Sequence, residues 1–218
     1  MSFDIGLMQR AIPLLAEGLW LTLALAIPAI ALSALWGIPV VLGLLNRRRA
    51  VVAVTRGYVE VVRNTPVLVQ MFFIFFGSGV LGYPLSGFTA GLLALVLQNG
   101  AYVAEIYRAG IQSVSTRQVE AGLAIGLLPF QAFRIVVLPQ ALRKVIPPLS
   151  NQGTLILKDT SLVATISVAE LTFQARMLAD RTAAVFEIFA ALALFYLVLT
   201  TAFTLAMRLL ESRLRIHQ

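Results

Sequence analysis

A few side chains in this otherwise apolar chain have the types and spacing to do chemistry. Gln98, Tyr102 and Glu105 fall at i, i+4 and i+7, so a helix puts an amide, a phenol and a carboxylate on one face, with Asn99 beside them. Further along, Lys158, Asp159 and Ser161 interrupt a second apolar run. Ionisable groups at membrane depth are costly, and they mark solute paths or pair with one another. Lys158 and Asp159 are neighbours, about 100° apart around a helix, so they do not simply pair. A structural role stays open for both acids: Glu105 could pair with Arg108 at i, i+3, and Asp159 could hold Lys158 or Thr160. The chemistry in reach is binding and passage. There is no cysteine, and the single histidine is His217 near the end, which removes thiol and imidazole nucleophiles and any Cys or His metal cluster. No catalytic residue and no metal site is assigned. No G-x-x-x-x-G-K-[ST] stretch occurs to cradle phosphates.

The elements that position these groups are membrane spans. The 218 residues are 59% hydrophobic and 12% charged, with a mean hydropathy of +0.89. A soluble domain carries about 25% charged residues. The net charge of +7 fits basic cytoplasmic loops and calls for no nucleic acid. Five runs are long and apolar enough to span: Leu15 to Leu45, Pro66 to Val80, Phe88 to Tyr107, Val145 to Val168 and Val185 to Leu210. The first contains Pro28 and Pro39 and is expected to kink. No removable signal peptide is read at the N-terminus. One set of loops holds Arg47, Arg48, Arg49, Arg56, Arg63, Arg108, Arg117, Arg134, Arg143, Lys144, Arg208, Arg213 and Arg215; the other holds only Arg10, Arg176 and Arg181. Basic loops stay inside, so the N-terminus is placed outside and the C-terminus inside. Between the first two spans, Arg56, Glu60 and Arg63 share a helical face, as in an amphipathic interfacial helix or a solvated connector. Thr65 is expected to cap the next helix, with Pro66 at its first position. The "MFFIFFG" run from Met71 to Gly77 reads as a packing surface. Glu170, Arg176, Asp180 and Arg181 fall in or near an outer loop, where they either meet an external protein or are simply solvated.

The stretch from Arg117 to Pro139 is too polar to span and too apolar for a solvated loop. Val119, Leu123 and Leu127 form a stripe with Gly122 and Gly126 on an adjacent face. Pro129 opens a second short helix carrying Phe130, Phe133, Val137 and Leu138, and Pro139 is expected to end it.

Glu120, Ala121, Gly122, then Gly126, Val136, Leu138 and Pro139 match the spacing of the Glu-Ala-Ala loop of ABC importer membrane subunits. Gly122 replaces the second Ala, Val136 replaces Ile, and Leu128 stands where the family usually has a capping Ser or Thr. With "RNTPVLVQMFFIFFG", "NGAYVAEIYRAGIQSVSTRQVEAG" and "LKDTSLVATISVAEL", the chain from Arg63 onward resembles the polar amino acid uptake branch (histidine, glutamine, glutamate or arginine permease type).

The resemblance implies an all-α integral membrane protein of the bacterial inner membrane. It implies one permease domain over 1–218 with the type I ABC importer (MetI-like) fold, five transmembrane helices and a cytoplasmic coupling helix within about 117–139. Arg117, Glu120, Ala121, Gly122, Gly126 and Pro139 would couple the chain to a separate ABC ATPase subunit, which uses ATP and Mg; this chain carries no cofactor. A second permease subunit, identical or related, and a periplasmic amino-acid-binding protein would complete the importer. The path for the amino acid would be lined from Gln98, Asn99, Tyr102, Glu105, Lys158, Asp159 and Ser161: an anion for the ammonium, donors for the carboxylate. The competing reading is a secondary transporter or channel for a small polar solute, which predicts inverted repeats that the sequence does not display.

Overall fold

The computed structural model describes residues 5–214, so Arg215 and His217 lie outside the described residues. Every regular element among them is helical. Helix α1 (Ile5–Leu44) runs 40 residues and stays helical through Pro13, Pro28 and Pro39. Helix α2 (Arg49–Asn64) meets α3 (Val67–Val80) at a bend of 104°. Then come α4 (Gly87–Gln112), α5 (Thr116–Ala124), α6 (Pro129–Ala132) and α7 (Leu138–Asp159). A 3-10 turn (Thr160–Ile166), α8 (Leu171–Thr182) and α9 (Val185–Leu214) complete the chain.

Length and hydropathy make α1, α4 and α9 capable of crossing a bilayer by themselves. The α2–α3 pair and the pair made by Pro129–Ile166 with α8, bent by 51°, bring the number to five if each is one span.

Two clusters hold the bundle. Leu25, Met71, Leu95, Ile156 and Val163 join α1, α3, α4, α7 and the 3-10 turn. Leu15, Leu171, Ala175 and Ile188 join α1, α8 and α9. The aromatic run behaves as a packing surface: Phe72 and Phe75 lie against the first cluster, while Phe73 and Phe76 stay exposed.

Three local expectations are corrected. Thr65 does not cap α3; its hydroxyl donates back to the Val61 carbonyl at 2.8 Å, and Pro66 takes the cap position. Gln70 ties the break instead, its amide lying within bonding distance of the Val62 and Thr65 carbonyls. Pro139 does not end a helix. Phe133–Val137 forms a π turn in which the Leu138 N–H donates to the Phe133 carbonyl, and α7 continues from there. A wide turn absorbs a residue that has no N–H, so the chain stays helical where an α turn would break. Glu170 is not in an exposed loop; it is fully buried.

The segment between α4 and α7 folds back on itself. Gly126 has φ +90°. Its N–H donates to the Leu123 carbonyl, while the Leu127 N–H donates to Gly122 at 3.1 Å, the paired bonds of a Schellman cap. Leu128 has no side-chain oxygen, but Gln131 reaches back to accept from its N–H at 2.9 Å, so half of a capping box remains. A Cβ at Gly122 would touch Leu127 at 3.4 Å and Val136 at 3.6 Å, ordinary contacts. Gly122→Ala is therefore expected to firm α5, raising amide protection there roughly two- to fivefold in hydrogen exchange. Unchanged or lower protection would mean that the neighbours cannot give.

Candidate functional site

Helix α4 carries the central polar face because its other sides pack on α1 and α7 through small residues. Gly100 lies under the Trp36 ring and Gly110 under Val145, so neither position has room for a Cβ. That leaves Gln98, Tyr102 and Glu105 turned toward α2 and α3 or into the space between α4 and α7.

The expected path residues divide into three groups. Gln98 accepts from the Gln70 amide of α3 at 2.9 Å. Asn99, one residue on, is 1% exposed; its amide donates to the Leu95 carbonyl at 2.8 Å and its oxygen accepts from Gln152 of α7 at 2.7 Å. Tyr102 and Glu105 line an open concavity of about 460 Å3 between α4 and α7. Lys158, Asp159 and Ser161 are not among the residues lining it. They lie at the far end of α7, with the Ser161 hydroxyl donating to the Lys158 carbonyl at 2.7 Å. Lys158 is exposed and Asp159 half-buried. Asp159 is nevertheless seven residues on from Gln152, two turns along the same α7 face.

The concavity also contains Arg63, Lys144 and Gln152, none of which the sequence assigns to the path. The Arg63 guanidinium sits 4.9 Å from the Tyr102 ring centre, a cation–π distance, and the Tyr102 hydroxyl donates to the Arg63 carbonyl at 3.3 Å. Lys144 donates to the Ser113 carbonyl at 2.8 Å. Glu105 pairs with Arg108 at 2.6 Å, as the i, i+3 spacing allowed; this is the one ion pair among the described residues. Arg108 also donates to Gln112 at 2.9 Å. A second, more polar concavity of about 700 Å3 continues along this face and is bordered by Arg56, Glu60, Arg63, Glu105 and Arg108. The face thus offers amides, a phenol, guanidinium groups and a carboxylate. These can hold a small polar solute and exchange partners as it moves; they include no nucleophile–base pair, and no group of acidic or histidine residues suited to a metal is found among the described residues.

On the α5–α6 unit, Arg117, Glu120 and Ala121 are exposed, whereas Gly122 is buried against Leu127, Val136 and Ala132. Gly126 serves the turn through its positive φ; a Cβ there would meet nothing within 4 Å. Pro139 is exposed just beyond the π turn. Beside these polar groups Ile125, Leu128 and Phe130 are 80%, 64% and 73% exposed.

At the other end of the chain's long helices, Arg176, Asp180 and Arg181 border a separate depression of about 480 Å3 with Phe173 and Met177. Glu170 faces inward instead. It accepts from the Phe173 N–H at 2.9 Å, the Tyr196 hydroxyl at 3.1 Å and the Thr22 hydroxyl at 3.4 Å, joining α1, α8 and α9.

Residues 29–216 match the family described as binding-protein-dependent transport system inner membrane component. The chain is 38% identical over 220 residues to the glutamine transport system permease protein GlnP of Escherichia coli (strain K12), covering 99% of this chain and 100% of that one. It is 36% identical to the nopaline transport system permease protein NocM of Agrobacterium fabrum, over 98% and 93% of the two chains. Among solved structures, an amino acid ABC transporter crystallised with histidines superposes with a TM-score of 0.92 at 37% identity, covering 98% of this chain and all of that one. The inward-facing MetNI methionine ABC transporter superposes at 0.80 with 18% identity, a likeness of fold.

Proposed function

The chain belongs to the family of binding-protein-dependent transport system inner membrane components, and from that premise we propose that its α4–α7 face is the path by which a polar amino acid crosses the inner membrane. The chain is the permease subunit of an amino acid ABC importer, with relatives that carry glutamine and nopaline. Tyr102, Glu105, Arg63 and Gln152 would meet the solute on the inner half of the path, and Asp159 on the outer half. A zwitterion needs an anion for its ammonium and donors for its carboxylate, and this face supplies both. Five spans would leave the N-terminus outside and the C-terminus inside. A separate ABC ATPase, with its ATP and Mg, would drive the cycle, a second permease subunit would close the path, and a periplasmic binding protein would deliver the amino acid.

One observation carries the coupling role: the α5–α6 unit stands off the bundle with Arg117 and Glu120 exposed beside the bare apolar side chains of Ile125, Leu128 and Phe130. A surface of that composition suits the groove of a partner protein. Glu120→Lys is expected to abolish co-purification of the ATPase with the tagged chain while leaving the chain's yield in the membrane unchanged. ATPase retained at the wild-type level would remove Glu120 from the joint. No ATPase with either protein would favour an uncoupled transporter.

A further inference from the structure

We infer that α2, together with Arg47, Arg48 and Arg49 at its start, is a binding surface for anionic phospholipid. The helix has three faces. Tyr58, Val59 and Val62 pack on α1 and α4. Arg56, Glu60 and Arg63 turn toward the polar concavity. The third face, Ala50, Ala53, Val54, Gly57 and Val61, recurs at i, i+3, i+4, i+7 and i+11 and is exposed along its whole length. Val54 is 76% and Val61 67% exposed, and a Cβ at Gly57 would meet nothing within 4 Å.

The 104° bend to α3 means that α2 cannot run along the membrane normal if α3 does, so its bare apolar stripe lies in the plane of the interface. Charge selects the kind of lipid. Residues 46–64 contain five arginines against one glutamate. The side chains of Arg47, Arg48 and Arg49 are exposed and make no hydrogen bond or ion pair within the described residues. A juxtamembrane cluster of this sign attracts anionic headgroups, each arginine contributing about a fivefold preference. Acyl chains would lie along the Val54–Val61 stripe and the phosphates against the three arginines. A zwitterionic headgroup meets the stripe equally well but gains far less from the arginines.

The test uses the full chain extracted from membranes of defined phosphatidylglycerol content with a lipid-retaining copolymer, with the retained lipid quantified by mass spectrometry. Wild type is expected to retain phosphatidylglycerol over phosphatidylcholine about fivefold or more above the supplied ratio. Arg47→Gln/Arg48→Gln/Arg49→Gln is expected to return the ratio to that supplied. Its arginine side chains have no hydrogen-bond or ion-pair partner to lose among the described residues, and the other basic loops keep the orientation. Val54→Ser/Val61→Ser keeps the charge and is expected to lower total lipid retained. Equal ratios in wild type and triple variant overturn the inference. So does complete loss of the phosphatidylglycerol excess when wild type is extracted in the presence of glycerol 1-phosphate, which would make the site one for a free phosphate. Loss of a co-purifying protein from the triple variant with lipid unchanged would assign the arginines to a protein contact instead.

Discussion

Glu170→Ala is expected to lower the temperature at which the chain unfolds. The carboxylate is fully buried, and its loss leaves the Phe173 N–H at the start of α8 with no acceptor. Tyr196 keeps Thr172 as a partner at 3.0 Å, and Thr22 keeps the Gly18 carbonyl at 3.1 Å. The cost is therefore one cap, whose N–H is left without an acceptor, and a void, about 3 kcal/mol together. For a chain of this length that is a fall of roughly 6–12 °C in the unfolding midpoint, read from the monodisperse fraction after heating in detergent. Glu170→Gln keeps the volume and one acceptor oxygen, and should fall about half as far. A Glu170→Ala midpoint within about 2 °C of wild type would mean that the three helices are held by apolar packing alone.

Gly18→Ala is expected to do comparable damage for a steric reason. A Cβ at Gly18 would lie 2.8 Å from the Leu171 Cα and 2.9 Å from its nitrogen. Both obstacles are backbone, so no rotamer change relieves them, and α1 and α8 must separate. Overpacking of this sort costs about 1–3 kcal/mol. The move also pulls Thr22, one turn along α1, away from the Leu171 N–H that donates to it at 3.2 Å. The two substitutions loosen the same junction, so Gly18→Ala in the Glu170→Ala background should cost clearly less than it does alone. Full additivity of the two midpoint shifts would show that they act at independent places.

Much of the design can be read from the sequence, and the parts that cannot have physical causes. The apolar runs locate α1, α4 and α9 because a bilayer demands about 20 apolar residues and nothing else in the chain competes with that demand. Gln98, Tyr102 and Glu105 are legible as one face because helical periodicity fixes it. Whether that face meets solute, α2 or α7 is set by tertiary packing. Lys144 and Gln152 join the face because Gly110 admits Val145 and brings α7 against α4, while Arg63 reaches it from α2. Spacing within one helix carries no information about that approach.

In sequence Glu170 falls in or near an outer loop, because Asp, Asn, Ser and Thr, rather than Glu, are the usual signals of a helix start. Only the fold shows its carboxylate turned in. Pro139 reads as a stop in sequence because an α turn does not accommodate it, and a π turn leaves no comparable signal in composition. The Val119–Leu123–Leu127 stripe and Pro129 locate the α5–α6 unit, and the Schellman cap at Gly126 explains why the chain turns there.

From Pro129 to Ile166 the chain is one unbroken helical strut, roughly 55 Å long, with its foot outside the bundle and its tip against the rim that holds Ser167. A thrust on the foot would be carried toward the tip, because no loop intervenes. The strut's compliant places are the wide turn at Phe133–Val137, close to the foot, and the Pro147–Pro148 pair inside α7, where i−4 hydrogen bonds are missing. The two ends of the bundle would therefore move together through a single member. A softened strut would let them drift out of step while every polar group along the way stayed in place.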